Sequence, residues 1–367
     1  MKAAVCYAFG QPLVIEEVDL DPPRAGEVKV RLAATGICHS DVHLIRGEWG
    51  GNLPVVAGHE GAGVVEAIGA GVTLAKPGDH VVVSLLRSCG RCFYCQIGAP
   101  YMCTGSFALD TEGRLRNQRG DRLRHGFRTA TFAEYAIVDQ SQVVPVPNDL
   151  PLDRAALLAC GVITGLGAVV NTARVVPGSS IVVIGAGGVG LSAIQGAVLS
   201  GASPIIAVDR LDTKLLAARA FGATHTINGA QCDAVEAVEE LTSGHGAEYV
   251  FVTVGSTAAV AQGLRMVGKL GMLVIVGIPE QNATVPLTVD QLVFNGQRIV
   301  GSNMGSTRLS VDVSRLVDLY RQGRLKLDEL ITARYPLERV NEAIEAMERG
   351  EALRNVIVFE GAIGESI

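Results

Sequence analysis

The stretch IVVIGAGGVG at residues 181–190 constrains the fold more than any other part of the chain. A run of β-branched residues leads into Gly185, Gly187 and Gly190, which satisfy the spacing G-x-G-x-x-G, and a helical pattern follows. Asp209 ends the next strand-like run, about 20 residues on, where a ribose-binding acid is expected. Backbone amides at the helix start would hold a pyrophosphate. A carboxylate there repels a 2′-phosphate, so the motif favours NAD over NADP, although the adjacent Arg210 can contact such a phosphate.

The pattern of hydrophobic and turn-forming residues changes at Pro151. Before it, short β-branched runs are punctuated by Gly and Pro, which predicts strands and turns. After it, strand-like runs alternate with helical stretches, which predicts a parallel, doubly wound sheet. From about residue 305, a helix, a short strand, a second helix and a last strand close the chain. A hydrophobic fraction of 48% with only 5% aromatic residues fits such an α/β protein with buried aliphatic strands.

Charge and composition argue against several classes of protein. The formal net charge of −6 argues against a nucleic-acid partner. Residues 175–208 carry no charge and are long enough to span a membrane, but prolines and glycines interrupt them, so we predict strand, turn, helix and strand. The first residues lack the pattern of a signal peptide, and we expect a cytoplasmic location. There, the eight cysteines should not form a disulfide framework.

Four of the cysteines lie close together in sequence. Cys89, Cys92, Cys95 and Cys103 have the spacing C-x2-C-x2-C-x7-C, which matches a tetrahedral zinc site of four thiolates. Redox dithiols and an iron–sulfur cluster have similar spacings and remain alternatives. If zinc binds here, all four positions are filled by protein, so the site is closed and structural.

A second cysteine–histidine set is dispersed along the chain. Cys38 lies in GICHSDVHLIRGEWGG, His59 in GHEGAGVVEAIGAGV and Cys160 in LLACGVITG. Two cysteines and one histidine with an open fourth position form a catalytic zinc arrangement, because two thiolates neutralise the dication and leave it a Lewis acid. By spacing alone this triad is not established, because a single cysteine or histidine is more often a packed core Cys or a satisfied His.

These motifs together resemble the zinc-containing alcohol dehydrogenases of the medium-chain dehydrogenase family. The segment at residues 58–72 matches the family signature GHE-x2-G-x5-G-x2-V at every fixed position, and the four-cysteine loop, the Gly-rich turn and the CG-x2-TG segment follow in family order. The resemblance implies a GroES-like β-rich catalytic domain over residues 1–161, a Rossmann domain that binds NAD over 162–304, and a C-terminal return to the first domain over 305–367.

The resemblance implies two zinc ions per chain. It makes Cys38, His59 and Cys160 the ligands of the catalytic ion, and the four clustered cysteines those of the structural ion. Glu60 resembles a glutamate that can visit the catalytic metal during ligand exchange. Asp41 resembles a carboxylate that orients the imidazole on the metal.

The same resemblance implies a proton path. Ser40 is similar to the hydroxyl that bonds the alcohol on zinc, and His43 to a relay histidine. The implied path leads from the alcohol to Ser40, the nicotinamide ribose hydroxyl, His43 and water, while hydride passes to the nicotinamide ring.

Further residues match family positions that line the cofactor. His39 and Arg354 are expected at the pyrophosphate, Lys214 at a ribose, and Thr164 and Val189 beside the nicotinamide. The other expected cofactor contacts are Gly185, Gly187, Gly188, Gly190, Asp209, Arg210, Thr253, Val254, Gly277 and Ile278.

The substrate pocket departs from the family pattern. Trp49 replaces a position that is often Leu or Asp, and Leu85 one that is often aromatic, which favours a primary or secondary alcohol that is bulky or aromatic. A glutathione-dependent formaldehyde dehydrogenase, a polyol dehydrogenase and a catalytically idle cofactor-binding protein are the alternatives. The arginine-rich residues 111–128 are predicted as a long loop, and such an insertion favours a homodimer over a tetramer.

Overall fold

The computed structural model describes residues 1–359 and contains two compact units. One unit consists of Met1–Cys160 together with the described residues from Arg308 onward, and the other of Gly161–Thr307. The domain boundaries predicted from sequence, after residues 161 and 304, lie close to these divisions. We describe each unit by itself.

The first unit contains a closed barrel and a seven-stranded sheet. The barrel has the order β1-β2-β7-β8-β4, and the sheet the order β10-β6-β5-β3-β18-β17 with β9 also paired to β3. The barrel strands are β1 (Lys2–Cys6), β2 (Val14–Leu20), β4 (Val55–Val56), β7 (Leu115–Asn117) and β8 (Arg122–His125). The sheet strands are β3 (Glu27–Gly36), β5 (Glu60–Ile68), β6 (His80–Ser84), β9 (Tyr135–Asp139), β10 (Val143–Val146), β17 (Ile331–Tyr335) and β18 (Arg354–Val358).

Strand β3 is the centre of this sheet. It pairs with β5, β9 and β18, all antiparallel. Val28, Val30 and Leu32 are buried while Lys29 and Arg31 are only half-buried, which is the alternation expected of a strand with one face on the core. The helices of this unit are α1 (His39–Arg46), α2 (Phe93–Gln96), α3 (Leu152–Leu157), α10 (Leu309–Arg321) and α11 (Val340–Glu348).

The arginine-rich segment 111–128 is not a long loop, so that prediction was wrong. Strands β7 and β8 form an antiparallel hairpin inside it and complete the barrel. Leu115 and Leu123 face each other across the hairpin and are each 1% exposed, with arginines at the alternate positions. The period of two marks both strands, and the density of arginines concealed it.

The second unit is a six-stranded sheet of order β13-β12-β11-β14-β15-β16, in which every pair is parallel. This is the doubly wound order of dinucleotide-binding folds. Its strands are β11 (Ile181–Ile184), β12 (Ile205–Asp209), β13 (His225–Asn228), β14 (Ala247–Val252), β15 (Val267–Ile275) and β16 (Arg298–Gly301). Its helices are α4 (Gly161–Gly167), α5 (Gly188–Leu199), α6 (Asp212–Ala220), α7 (Ala234–Leu241), α8 (Thr257–Met266) and α9 (Val289–Asn295).

The uncharged segment 175–208 contains strand, turn, helix and strand, as its glycines and prolines predicted. Among the described residues, no helix combines the length and the apolar character that a membrane crossing requires.

A buried ion pair ties the barrel hairpin to β3. Arg114 donates from Nε and Nη2 to the two carboxylate oxygens of Glu27, at 3.0 and 2.6 Å, and both side chains are almost completely buried. Arg114→Leu should therefore lower the free energy of unfolding by about 3 kcal/mol, because it leaves a buried carboxylate without its partner. Denaturant unfolding followed by circular dichroism measures the change. Arg119→Leu, which removes an exposed pair with Asp121, is the matched control and should change stability by less than about 1 kcal/mol.

Candidate active site and metal centres

The carboxylate of Asp41 connects the first turn of α1 to the start of β5. Its Oδ2 accepts from the backbone N–H of Cys38 at 3.1 Å, which places Cys38 at the N-terminal cap of the helix. Its Oδ1 accepts from the N–H of Gly58 at 3.0 Å and lies 2.9 Å from Nδ1 of His59. Because the acceptor is a carboxylate, His59 carries a proton on Nδ1, and Nε2 points the other way.

Four potential ligand side chains converge on this Nε2. The ligand atoms of Cys38, His59, Glu60 and Cys160 lie within 4.8 Å of one another, and all four residues are buried. His59 Nε2 is buried and forms no hydrogen bond to any of residues 1–359, although Cys38 lies beside it. A buried nitrogen of this kind needs a partner, and two cysteines with one imidazole are a donor set that zinc prefers. The residues therefore fit a metal ion.

The electrostatics of the cluster are strongly perturbed. A hydrogen bond from the Cys160 thiol is the main reason that the pKa of Cys38 lies well below its usual value, and the same pairing, with burial, raises the pKa of Cys160. Burial lowers the pKa of His59, but Asp41 and Cys38 outweigh it and raise the pKa well above the ordinary value. Because thiolates and a neutral imidazole are the forms that ligate a metal ion, metal binding here would be coupled to proton release.

Glu60 is held by an arginine. Both of its carboxylate oxygens accept from Nη2 of Arg354, the first residue of β18, and both side chains are buried. Burial raises the pKa of Glu60 to about 7, and the guanidinium opposes that rise. Gly36 makes room for this pair, since a Cβ there would lie 2.3 Å from a Glu60 oxygen. Arg354 therefore bonds a carboxylate of the metal cluster, a contact that the expected pyrophosphate role did not anticipate.

The four-cysteine loop forms a second candidate metal centre. The ligand atoms of Cys89, Cys92, Cys95 and Cys103 also lie within 4.8 Å of one another, and all four cysteines are free. Cys103 Sγ accepts from the N–H of Cys89 at 3.2 Å and of Gly105 at 3.3 Å, and Cys89 Sγ from the N–H of Cys92 at 3.3 Å. Backbone donors stabilise thiolates, and a bond from Cys95 contributes most to lowering the pKa of Cys92 to about 6. This loop fits a closed zinc site.

A row of aromatic rings runs from His43 to the buried cluster. The indole of Trp49 stacks on the His43 ring, with centroids 4.7 Å apart and planes at 26°. Phe127 meets Trp49 edge-on at 6.4 Å, and its ring lies 4.6 Å from that of His59. Ser40 and Leu85 are both half-buried, Ser40 in the first turn of α1 and Leu85 directly after β6. The row gives the first unit an aromatic surface in contact with a potential metal ligand.

The Gly-rich turn of the second unit has the geometry of a phosphate-binding loop. Gly185 has φ +94°, and a Cβ there would lie 2.4 Å from Val254. A Cβ on Gly190 would lie 1.7 Å from the carbonyl oxygen of Gly185, so only glycine lets α5 approach β11 this closely. No neighbouring atom lies within 4 Å of the position that a Cβ on Gly187 would occupy. This open space leaves room for a ligand at the backbone amides. These are the three separate reasons for the glycines of a dinucleotide-binding turn, and the residues fit such a cofactor.

Asp209 bonds the turn directly. Its Oδ2 accepts from the N–H of Ala186 at 2.7 Å, and its Oδ1 from the N–H groups of Arg210 and Leu211 at 2.7 and 3.0 Å. A carboxylate offers about four lone-pair sites, so Asp209 retains capacity for ribose hydroxyls. The side chain therefore shapes the turn and keeps free acceptor capacity.

The remaining predicted cofactor residues of this unit gather mostly after the carboxyl ends of its strands. Thr253 follows β14 and donates to the carbonyls of Ile184 and Gly185 at 3.0 and 2.8 Å. Gly277 lies against the backbone of Val254, where a Cβ would come within 2.3 Å. Of the others, Gly188 and Val189 begin α5, and Lys214 lies in α6. Thr164 lies in α4, and Ile278 follows β15. This edge is where open α/β sheets bind their ligands.

Two family models match the chain. The model described as "Alcohol dehydrogenase GroES-like domain" matches residues 24–148, and that described as "Zinc-binding dehydrogenase" matches residues 188–322. The chain is 41% identical over 365 residues to the NDMA-dependent alcohol dehydrogenase of Amycolatopsis methanolica, with 97% of this chain and 98% of that protein covered.

Two further relatives have narrower names. A Schizosaccharomyces pombe protein named probable S-(hydroxymethyl)glutathione dehydrogenase 1 is 37% identical over 365 residues, covering 97% of this chain and 96% of that protein. The crystal structure of benzyl alcohol dehydrogenase from Acinetobacter calcoaceticus superposes with a TM-score of 0.90 at 35% identity, covering 98% of this chain and 99% of that one.

The chain belongs to the zinc-containing alcohol dehydrogenase family. This confirms the family, the fold class and the alcohol oxidoreductase function predicted from sequence. The individual roles of the site residues in this dehydrogenase stay predictions.

Sequence reasoning missed two residues of the dehydrogenase site. Glu48 bonds Nδ1 of His43, five residues earlier in the chain, and Phe127 lies against His59. The glycine at 47, directly before Glu48, was the available signal, because it ends α1 and reverses the chain. For Phe127 no signal was available, since no local sequence pattern predicts a phenylalanine in the left-handed conformation, here with φ 50°.

Asp41 should determine how tightly the dehydrogenase holds zinc at Cys38, His59 and Cys160. Asp41→Asn keeps the size of the side chain but weakens its bond to the imidazole, and we expect about a 10- to 100-fold loss of zinc affinity at this site. Competition with a chromophoric chelator measures that affinity. Asp110→Asn, at a partly exposed carboxylate that pairs with Arg87, is the control and should leave it unchanged. Equal affinities in the wild type and Asp41→Asn would contradict the proposed metal site.

Proposed function

We propose that this family member is an NAD-dependent zinc alcohol dehydrogenase that oxidises bulky or aromatic primary or secondary alcohols. The observation that carries the proposal is the buried set of Cys38, His59 and Cys160, with an imidazole nitrogen that is oriented by Asp41 and lacks a hydrogen-bond partner among the described residues. The loop at Cys89–Cys103 would hold a second, structural zinc ion.

The residues of the first unit divide the chemistry among them. Cys38, His59 and Cys160 would hold a zinc ion, which supplies Lewis acidity that makes an alcohol hydroxyl more acidic. Ser40 lies two positions from Cys38 in the same helix and orients the hydroxyl by a hydrogen bond. His43 accepts the proton and returns it to solvent from a partly exposed position. Glu60 stays bound to Arg354, so it approaches a metal only when that pair opens.

The second unit supports a dinucleotide cofactor, which accepts the hydride. Open space before Gly187 and the amides of the turn suit a pyrophosphate, and the Asp209 carboxylate favours a ribose without a 2′-phosphate. The name of the Amycolatopsis relative raises a second possibility, in which turnover depends on NDMA. The test below separates the two.

The aromatic row supports the choice of substrate. Trp49 and Phe127 present rings beside His43 and His59, and aromatic alcohols gain from packing against such rings. The similarity to benzyl alcohol dehydrogenase points the same way. The similarity to the S-(hydroxymethyl)glutathione dehydrogenase keeps the glutathione adduct of formaldehyde as the second candidate substrate.

A substrate and acceptor panel tests this proposal. We expect two zinc ions per chain by metal analysis, and turnover of benzyl alcohol with NAD at least about tenfold faster than with NADP, since one charge repulsion of about 1.4 kcal/mol gives that ratio. Cys38→Ser should lose one ion and the activity, whereas Cys232→Ser, at an exposed free cysteine, should keep both. Activity only with NDMA would overturn the proposed NAD dependence. Activity only with formaldehyde and glutathione, or only with polyols, would overturn the proposed substrate class. A bound cofactor with no turnover on any substrate would indicate an idle member.

We also propose that the protein forms a homodimer in the cytoplasm. Strand β16 is an edge of the parallel sheet, and α9 beside it exposes Val289, Val293 and Phe294, with exposed fractions of 64%, 71% and 83%. An open strand edge next to an apolar face suits pairing with a second copy of the chain. None of the eight cysteines forms a disulfide, which fits a reducing compartment.

Phe294→Asp should shift the protein from dimer to monomer, because it places a charge in the apolar face. Light scattering coupled to gel filtration measures the mass. Leu216→Asp, at an apolar position on α6 that is 72% exposed, is the control and should leave the mass unchanged. A wild-type protein with the mass of one chain or four chains would contradict the dimer.

A further inference from the structure

Glu48 and Trp49, which follow the helix-ending Gly47, both fold back onto His43. Gly47 takes a left-handed conformation with φ +74°, and its N–H bonds the carbonyl of Leu44 at 3.1 Å while the N–H of Glu48 bonds that of His43 at 3.0 Å. These bonds end the helix and reverse the chain. As a result, Glu48 reaches Nδ1 of His43 with its carboxylate, and Trp49 covers the flat face of the same ring.

We propose that Glu48 and Trp49 are positioning residues that prepare His43 as a proton acceptor. The inference rests on the proposed function, in which His43 takes the proton of the alcohol. It adds a carboxylate and an aromatic ring that set the tautomer and the orientation of that histidine.

Glu48 selects the tautomer. An ionised carboxylate only accepts hydrogen bonds, so its contact fixes a proton on Nδ1 and leaves the lone pair on Nε2. In the transfer, the O–H bond of the alcohol breaks and an N–H bond forms at Nε2. The imidazolium carries one positive charge next to the negative charge of Glu48 until its proton passes to water. No electrons are exchanged in this step, and the carboxylate stabilises the charged intermediate without taking the proton itself.

Trp49 fixes the plane of the ring. A stack at 4.7 Å and 26° restrains rotation about the Cβ–Cγ bond of His43, and Phe127 contacts the indole edge-on. Phe127 in turn lies against His59, so the orientation of His43 is linked by ring contacts to a potential metal ligand. The carboxylate and the stack restrain different motions of the imidazole, and together they leave one orientation.

Kinetics of the zinc-loaded enzyme with NAD test the proposal. Glu48→Gln should lower kcat for benzyl alcohol about tenfold, part of the roughly 10²–10⁴-fold that a positioned acid or base contributes, and leave KM nearly unchanged. Glu48→Asp should recover part of the loss, and added imidazole should also raise the rate of Glu48→Gln. In a His43→Gln background, Glu48→Gln should have no further effect, because the two side chains act as one unit. Glu66→Gln, which removes a half-exposed pair with Lys29, is the matched control.

Two substitutions test the positioning role of Trp49. Trp49→Ala should lower kcat while Trp49→Phe, which keeps a stacking ring, should retain most of it. If Trp49 serves only the substrate pocket, both variants change KM for aromatic alcohols and leave kcat with small aliphatic alcohols unchanged. That result would overturn its positioning role.

Nitrogen NMR gives a readout that does not depend on turnover. Protein with 15N-labelled histidine has only seven imidazoles to assign, and His43→Gln identifies the signal of interest. Above neutral pH, the wild type should show His43 with the proton on Nδ1, and Glu48→Gln should show a mixture of tautomers. Identical spectra, or an unchanged kcat in Glu48→Gln, would overturn the proposal even if the wild type is a dehydrogenase. A wild type without turnover on any alcohol would instead refute the proposed function.

Discussion

The buried carboxylate of Asp41 is the interaction on which the candidate active site depends. It accepts from the N–H of Cys38 at one oxygen and from Gly58 N–H and the His59 ring at the other. One side chain thus caps α1, fixes the approach to β5 and sets the tautomer of a potential metal ligand. Because the group is fully buried, losing any one partner leaves a polar atom without compensation, which costs about 1–3 kcal/mol. The Asp41 carboxylate therefore holds two candidate ligands, Cys38 and His59, that are distant in sequence.

Charge balance explains why Glu60 and Arg354 would accompany a metal ion held by Cys38, His59 and Cys160. Two thiolates neutralise a dication, and a further buried carboxylate would leave a net negative charge in a buried site. The guanidinium of Arg354 removes that excess, and both groups are almost inaccessible to solvent. A buried pair of this kind is retained for what it does rather than for net stability, since desolvation offsets much of its attraction. Here it keeps an acid within reach of the ligands while neutralising it.

The sequence predicts those parts of the molecule that follow from local spacing. The Gly-rich turn with Asp209, the parallel sheet, the four-cysteine loop and the family signature at residues 58–72 all rest on short patterns, and family models and relatives confirm the fold and the family. The β7–β8 hairpin was missed because arginines hide its alternation of two buried leucines. The Arg354–Glu60 pair and the contact of Phe127 with His59 depend on side chains far apart in sequence, and only the folded chain brings them together.

The contacts around α1 form a closed circuit. The helix carries Cys38 at its start and His43 near its end, Trp49 stacks on His43, and Phe127 bridges Trp49 to His59, whose Nδ1 returns through Asp41 to the helix start. A closed circuit fixes the candidate metal ligand His59 and the proposed proton acceptor His43 relative to each other more firmly than either segment alone. It also accounts for the left-handed conformation of Phe127, which costs about 1–2 kcal/mol in a residue with a Cβ. The strained residue, Phe127, follows the barrel hairpin and is the ring that contacts both Trp49 and His59.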